Sequence, residues 1–495
     1  MTRRVSALDL AATVLDAVSL TSWDEPAKTN TADTGYARDL ATARERTGLD
    51  EAVLTGEARI HGRRVAVVLC EFGFLAGSVG VAAAERITAA VERATREQLP
   101  LLASPASGGT RMQEGTRAFV QMVKISAALM QHRQAGLPYL VYLRHPTTGG
   151  VFASWGALGH VTAAQPGALI GFLGPRVYEA LYGDEFPDGV QTAENLLGHG
   201  LLDAVVPPEQ LAGIADRALA VLTERRRGDR LPAPQDAVAA DATSVWESVE
   251  RSRRADRPGV RALLKHAATD VTRLRGTGEG EREPGLVLAL ARFGTMACLV
   301  LGQDRDDQRA GRQLGPAGLR AARRGMRLAA ELDLPVVTVV DTAGAELSVQ
   351  AEEGGLGAEI ARCLADLVTL PVPVVCVLLG QGAGGAALAF LPSDRVLAAG
   401  HSWLAALPPE GASAIVHRTT DRARELAEAQ RISSADLLAD GIVDRIVPEL
   451  PDAADEPDAF VTRIAATVEQ ELTTLADQNR DALRATRAAR YRTLG

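Results

Sequence analysis

Runs of aliphatic and β-branched residues recur along the chain, each bounded by glycine, proline or charged residues. Val65–Cys70, Leu101–Leu102 and Tyr139–Leu143 in the first half predict short buried strands, as do Met296–Leu301, Val336–Val340 and Val374–Leu379 in the second. Longer stretches between them carry apolar residues at three- and four-residue spacing. Ala82–Glu97 and Gly318–Leu332 are examples, and both predict amphipathic helices. Alternation of this kind predicts an α/β fold, with helices packed on a sheet. Near the N-terminus Leu8, Ala11, Val14, Leu15 and Val18 fall at helical spacing, so residues 1–60 are expected to form a helical extension. Asp9 and Asp16 interrupt that apolar pattern and argue against a signal peptide or a membrane span.

The pattern repeats. Leu99-Pro100-Leu101-Leu102 leads to Ser107-Gly108-Gly109, and Leu334-Pro335-Val336-Val337 leads to Thr342-Ala343-Gly344, at an offset of 235 residues. Leu137-Pro138-Tyr139-Leu140-Val141 before Gly149-Gly150 matches Val372-Pro373-Val374-Val375 before Gly384-Gly385-Ala386 at the same offset. Gly200–Pro207 resembles Gly441–Pro448 at an offset of 241. Three ordered matches at nearly one offset imply two copies of one fold. The expected division is 1–60 extension, 61–223 first domain, 224–258 linker and 259–495 second domain. The linker is polar and holds Arg225-Arg226-Arg227, Pro232 and Pro234, with Val245–Arg251 as a possible short helix.

Composition narrows the function. A length of 495 residues suits two domains, and a 46% hydrophobic content is that of a globular protein. The net charge of -9 argues against a nucleic-acid partner. The four cysteines, Cys70, Cys298, Cys363 and Cys376, each lie in apolar runs with no C-x-x-C spacing. They read as buried thiols in a reduced, cytoplasmic compartment, and no metal site is expected.

The glycine turns carry the candidate chemistry. Glycine allows close backbone approach and positive φ, and a helix start leaves N–H groups without partners. Together they can form an oxyanion hole, in which backbone donors face a developing negative oxygen. Gly149-Gly150 precede Val151–Ser154, and Gly384-Gly385-Ala386 precede Ala387–Ala389, so each half is expected to open a helix at its glycines. Most Gly-Gly pairs only shape turns, but equivalent placement in both copies favours function. No P-loop, G-x-S-x-G or H-E-x-x-H is present, and the scattered histidines, such as His145 and His160, read as structural or exposed.

Ser107-Gly108-Gly109-Thr110-Arg111-Met112-Gln113-Glu114-Gly115, Pro146–Ser154 and Ile170–Val177 resemble the β subunit of the bacterial acetyl-CoA carboxylase carboxyltransferase. Asp341–Ala345, Ala351-Glu352-Glu353, Gly380–Ala386 and Pro409–Ser413 resemble its α subunit. The resemblance spans roughly residues 60–450 and implies two tandem crotonase-like domains, the first on the acyl-CoA side and the second on the biotin side. It also implies transfer of a carboxyl group from carboxybiotin on a carrier protein to the α-carbon of an acyl-CoA. In that family the biotin ureido nitrogen takes the α-proton, so the protein need only stabilise negative oxygens. By motif, Gly149 and Gly150 would hold the thioester oxygen, and Gly385 and Ala386 the ureido oxygen. Ser107, Gly108, Gly109, Arg111, Gly174, Arg176, Gly344 and Gly384 would complete substrate binding.

No Met-Lys-Met biotinylation motif surrounds Lys28, Lys124 or Lys265, so a separate biotin carboxyl carrier protein and biotin carboxylase are expected as partners. A homodimer or trimer of dimers follows by the same resemblance. The chain departs from it in lacking an N-terminal four-cysteine zinc ribbon, and its Gly-Gly-Ala turn is closer to propionyl-CoA-type enzymes. Three alternatives remain: a decarboxylase of a malonyl-type thioester, a crotonase-type hydratase or isomerase using Glu114, Glu194 or Glu410, and a silent partner-binding scaffold.

Overall fold

The computed structural model describes residues 3–27, 33–233, 243–282 and 284–493, apart from the side chains of 175–177 and 493. The chain forms two compact units, Met1–Thr223 and Glu224–Gly495. The first holds strands β1 (Thr21–Ser22), β2 (Val53–Ile60), β3 (Arg63–Cys70), β4 (Leu101–Ser104), β5 (Tyr139–Leu143), β6 (Thr147–Thr148), β7 (Val161–Ala164), β8 (Ile170–Gly171) and β9 (Ala204–Val205). Seven of them form one sheet in the order β1-β2-β3-β4-β5-β7-β9, antiparallel from β1 to β3 and parallel from β3 onward. The second unit repeats this plan with β10 (Thr269–Leu274), β11 (Leu286–Phe293), β12 (Met296–Gln303), β13 (Val336–Thr342), β14 (Val374–Gly382), β15 (Arg395–Ala399) and β16 (Arg445–Val447). Its order is β10 to β16 in sequence, antiparallel to β12 and parallel beyond.

The two plans agree residue by residue. β4 pairs with β5 through Leu101 and Tyr139, and β13 pairs with β14 through Val336 and Val374, both 235 positions on. The 16-residue helix Val81–Arg96 crosses from β3 to β4, and the 16-residue helix Pro316–Glu331 crosses from β12 to β13. Each runs 235 positions after its counterpart, as does the 14-residue helix Leu356–Thr369 after Gln121–Gln134. Parallel neighbours need such crossovers, which cover the sheet, so β4, β5 and β13 are buried along their whole length. Ala83, Ala84, Ile87, Ala90, Val91 and Ala94 supply the buried face of the first helix.

Residues 1–60 differ from the expected helical extension. They hold helices Ala7–Val14 and Thr34–Thr47, but also two strands of the sheet. β2 pairs with β3 over all eight positions, from Val53 opposite Cys70 to Ile60 opposite Arg63. The joining residues His61 and Gly62 both have positive φ, 48° and 83°, the conformation of a tight two-residue hairpin turn.

The expected linker also differs where it is described; residues 234–242 lie outside the described set. Arg225 and Arg227 bond to the backbone at the start of β12, and helix Val245–Ser252 buries Val249 beside Trp403. The polar residues that suggested a linker have partners: Arg253 pairs with Glu410, and Arg257 with Glu449, a pair fully buried on both sides.

Candidate active site

In the first unit the chain leaves β4 and turns through Ser107-Gly108-Gly109. The buried Ser107 hydroxyl accepts the Gly109 N–H at 3.0 Å and donates to the Gly77 carbonyl at 2.5 Å. The Ser107 carbonyl accepts the Thr148 N–H at 2.8 Å, which ties this loop to the next one. Gly149 follows with φ of 65°, and its N–H donates to the Phe172 carbonyl at 2.9 Å. The N–H groups of Gly150 and Val151 have no acceptor among the described residues. No α-helix follows, contrary to expectation; one turn closes from Ala153 N–H to the Gly149 carbonyl at 3.0 Å, and a short 3-10 segment begins at Trp155.

The second unit repeats these bonds. The Thr342 hydroxyl accepts the Gly344 N–H at 3.1 Å, and the Thr342 carbonyl accepts the Ala383 N–H at 3.1 Å. Gly384 has φ of 69° and donates to the Ala405 carbonyl at 3.0 Å. Here a helix does follow, Gly384–Leu388, and Gly385 and Ala386 stand in its first turn, where N–H groups lack intrahelical acceptors. The matched pairs are therefore Gly149 with Gly384, whose donors are committed, then Gly150 with Gly385 and Val151 with Ala386, whose donors are open. The expected Gly149 donor is corrected on this ground: its proton already belongs to Phe172.

Glycine at 109 is explained by the same geometry. Its φ is 105°, and a side-chain carbon placed there would lie 3.3 Å from the Gly150 nitrogen, covering the open donor. At Gly385 such a carbon would press on Ile360 at 2.9 Å.

Gln303 braces the second turn: its amide donates to the Ala386 carbonyl at 2.7 Å and accepts the Asp341 N–H at 3.1 Å. Asp341 is buried and pairs with Arg305 at 2.9 Å. Burial raises its carboxyl above the usual range, against the pull of Arg305 and Arg257. Asp341 and Arg305 border a cavity of about 1410 Å³ whose lining also includes Gln308, Gly344, Gly384 and Gly385.

The remaining expected residues divide. Gly108 donates to the Ala76 carbonyl at 2.8 Å and shapes the loop. Arg111 cannot touch a substrate directly, because its side chain is 0% exposed and forms an ion pair with the equally buried Glu51. A second bond to Glu51, at 2.9 Å, and one to the Ser78 carbonyl, at 2.7 Å, hold the loop from behind. Gly174 caps helix Pro175–Tyr182 with open space around it, and the Arg176 side chain lies outside the described set.

Glu51, Tyr36, Gln303 and Arg305 were not legible in the sequence. Glu51 lies 60 positions from Arg111, and only the fold joins them.

Several other groups are committed elsewhere. Glu114 accepts the Tyr36 hydroxyl at 2.5 Å and the Val81 N–H at 2.6 Å, so it caps the helix whose own cap position, Gly80, has no side chain. Glu194 accepts the Gly167 N–H at 2.8 Å, and Glu410 pairs with Arg253 at 2.6 Å. His145 and His160 accept backbone N–H groups of Leu169 and Tyr139 at 3.1 and 3.0 Å. Burial pushes the Cys70 thiol up to about 11 and those of Cys298, Cys363 and Cys376 to about 12, so none supplies a thiolate nucleophile.

The family profile described as carboxyl transferase domain matches residues 26–484. A probable biotin-dependent acyl-coenzyme A carboxylase beta3 subunit of Mycobacterium tuberculosis is 62% identical over 493 residues, covering 99% of both chains. The acetyl-coenzyme A carboxylase carboxyl transferase subunits beta/alpha of Salinispora arenicola are 40% identical over 93% of this chain and 84% of theirs. Among solved structures, the transcarboxylase 12S hexamer with methylmalonyl-coenzyme A and methylmalonic acid bound superposes with a TM-score of 0.75 at 21% identity, over 96% of this chain and 91% of that one. A single-chain long-chain acyl-CoA carboxylase superposes at 0.73 and 18% identity, over 94% of this chain and 46% of that one. The fold is the expected crotonase-like one, present twice.

Proposed function

The chain belongs to the carboxyl transferase domain family, and from that premise we propose that it is the carboxyltransferase component of a biotin-dependent acyl-CoA carboxylase. It moves a carboxyl group between biotin on a carrier protein and the α-carbon of a short acyl-CoA, acetyl-CoA or a near relative. The observation that carries this reading is the pair of equivalent turns with open backbone donors, Gly150 with Val151 and Gly385 with Ala386. A thioester becoming an enolate and a ureido group losing its carboxyl each gather negative charge on one oxygen, and each turn suits one such oxygen. Bound carboxybiotin supplies the carboxyl group and then the base for the α-proton. Gly150 and Val151 hold the thioester oxygen, while Gly385 and Ala386 hold the ureido oxygen. Ser107, Thr342 and Gln303 keep those donors aimed by bonding the loops and not the substrate.

A hydratase or isomerase needs a carboxylate beside the hole, and Glu114, Glu194 and Glu410 are all engaged in capping or pairing. A separate carrier and biotin carboxylase complete the reaction. Among the described residues no group of three His, Cys, Asp or Glu could hold a metal ion, and no helix is long and apolar enough to cross a membrane.

Proline tests the donors because it removes an N–H while remaining tolerated in a first helical turn. Ala386→Pro should keep the fold and lower carboxyl transfer to a biotin ester by about 100- to 1000-fold, and Gly150→Pro should do so on the thioester side. Both variants would be assayed across acetyl-, propionyl- and longer acyl-CoA, with malonyl-CoA included to detect decarboxylation alone. Unchanged transfer in both would dismiss the two holes.

A further inference from the structure

The two turns commit their leading N–H in different ways. In the second unit the acceptor is the Ala405 carbonyl, and the Ala405 N–H itself donates to the Gly382 carbonyl at 2.9 Å. Ala405 is thus held through both of its backbone groups. In the first unit the acceptor is the Phe172 carbonyl, but the Phe172 N–H has no acceptor among the described residues. The Phe172 side chain is 68% exposed, so packing does not fix this residue either.

One side chain takes up that task. Past Phe172 the chain makes an excursion and returns at Gln191, whose carbonyl accepts the Ile170 N–H at 2.9 Å. Gln191 Nε2 donates to the Leu173 carbonyl at 2.7 Å, one residue beyond Phe172. The amide lies against Gly171, where an added side-chain carbon would collide with Nε2. Gln191 is itself anchored by its neighbour. Thr192 bridges to Leu169, and its hydroxyl caps helix Ala193–Gly198 by accepting the Asn195 N–H at 3.3 Å. Gln191 Oε1 is buried and has no partner among the described residues. A buried orphan oxygen costs stability, which an apolar side chain of the same shape would avoid. Packing alone therefore does not account for an amide here, whereas the bond to Leu173 does.

We propose that Gln191 is a positioning residue. By holding Leu173 it keeps the Phe172 carbonyl on the Gly149 N–H, which leaves Gly150 and Val151 as the donors for the thioester oxygen; the proposal rests on the functional reading above. Without that bond the Phe172 carbonyl moves off, the Gly149 N–H is released and the two open donors lose their fixed aim. Those donors meet charge that develops during the reaction, so the loss falls on kcat and not on KM for the thioester.

Two variants of the full chain test this. Gln191→Met keeps the side-chain volume and removes the donor, while Gly171→Ala keeps Gln191 and pushes its amide off Leu173. Carboxyl transfer from malonyl-CoA and methylmalonyl-CoA to a biotin ester gives kcat and KM. Hydrogen exchange, resolved to single residues by mass spectrometry, follows the Gly149 N–H. In both variants kcat should fall about 10- to 100-fold, as for a site displaced by about 1 Å, with KM for the thioester unchanged. Exchange at Gly149 should quicken by about tenfold or more while the melting temperature stays that of the wild type.

Unchanged exchange at Gly149 in both variants overturns the proposal, and so does faster exchange with kcat intact. A loss confined to KM, or one that follows a lowered melting temperature, overturns it as well. A wild type that transfers no carboxyl group sinks the functional reading, and exchange at Gly149 then still decides whether Gln191 sets the open donors.

Discussion

At the residue scale, the loop that shapes the first-unit turn is held by a charge pair that never meets solvent. Arg111 and Glu51 are both 0% exposed, and Tyr36 and Glu114 extend the network to the start of helix Val81–Arg96. Removing one member strands a buried charge, so Glu51→Ala should cost about 3–5 kcal/mol of stability, read from denaturant unfolding. Gly109→Ala tests the opposite property. The added methyl sits on the Gly150 donor, so kcat/KM for the CoA thioester should fall by roughly 100-fold. His132 links the fold to pH. It is buried against Thr95 and the Pro138 carbonyl, and burial lowers it to about 4 from 6.5. The folded state therefore prefers the neutral ring and the unfolded chain takes the proton first. Stability is full above pH 6.5 and falls as pH drops from 6.5 toward 4. His132→Gln should flatten the slope of melting temperature against pH between about 6.5 and 5, above the ordinary carboxylate range.

At the element scale, the crossover helices carry the duplication most clearly. Val81–Arg96 and Pro316–Glu331 have the same length and keep one offset, although few of their residues agree. What persists is the spacing of small and aliphatic residues facing the sheet, because the gap between helix and strand limits side-chain volume there. Ile87→Ala opens a cavity in that layer and should cost about 2–5 kcal/mol in a denaturation measurement. Strand β2 shows where pattern alone misled. Val53–Ile60 contains Gly56 and Glu57 and lacks the continuous apolar run of β3, so it did not stand out. Its signal was the His61-Gly62 pair between two extended stretches, and the hairpin it forms supplies a sheet neighbour for β3.

At the scale of the whole molecule, each unit has its own sheet and its own buried cluster. Residues 1–223 and 224–495 expressed as separate chains should each show cooperative thermal unfolding by circular dichroism, and neither alone should transfer a carboxyl group. The sequence by itself determined the α/β class, the duplication and the glycine turns. Those properties are local: burial of a strand, helical spacing and positive φ are written in neighbouring residues. In the first unit the donors left open lie one residue beyond the expected pair, because which N–H is open depends on a carbonyl that arrives from Phe172, more than twenty positions on. Only the tertiary structure decided that Arg111 is buried against Glu51, that the polar stretch after Thr223 packs on the second unit, and that arginines from separate elements gather around one cavity. Each of these depends on pairing residues far apart in the chain, and charge or burial at such distances is settled by the packing of elements rather than by the residues beside them.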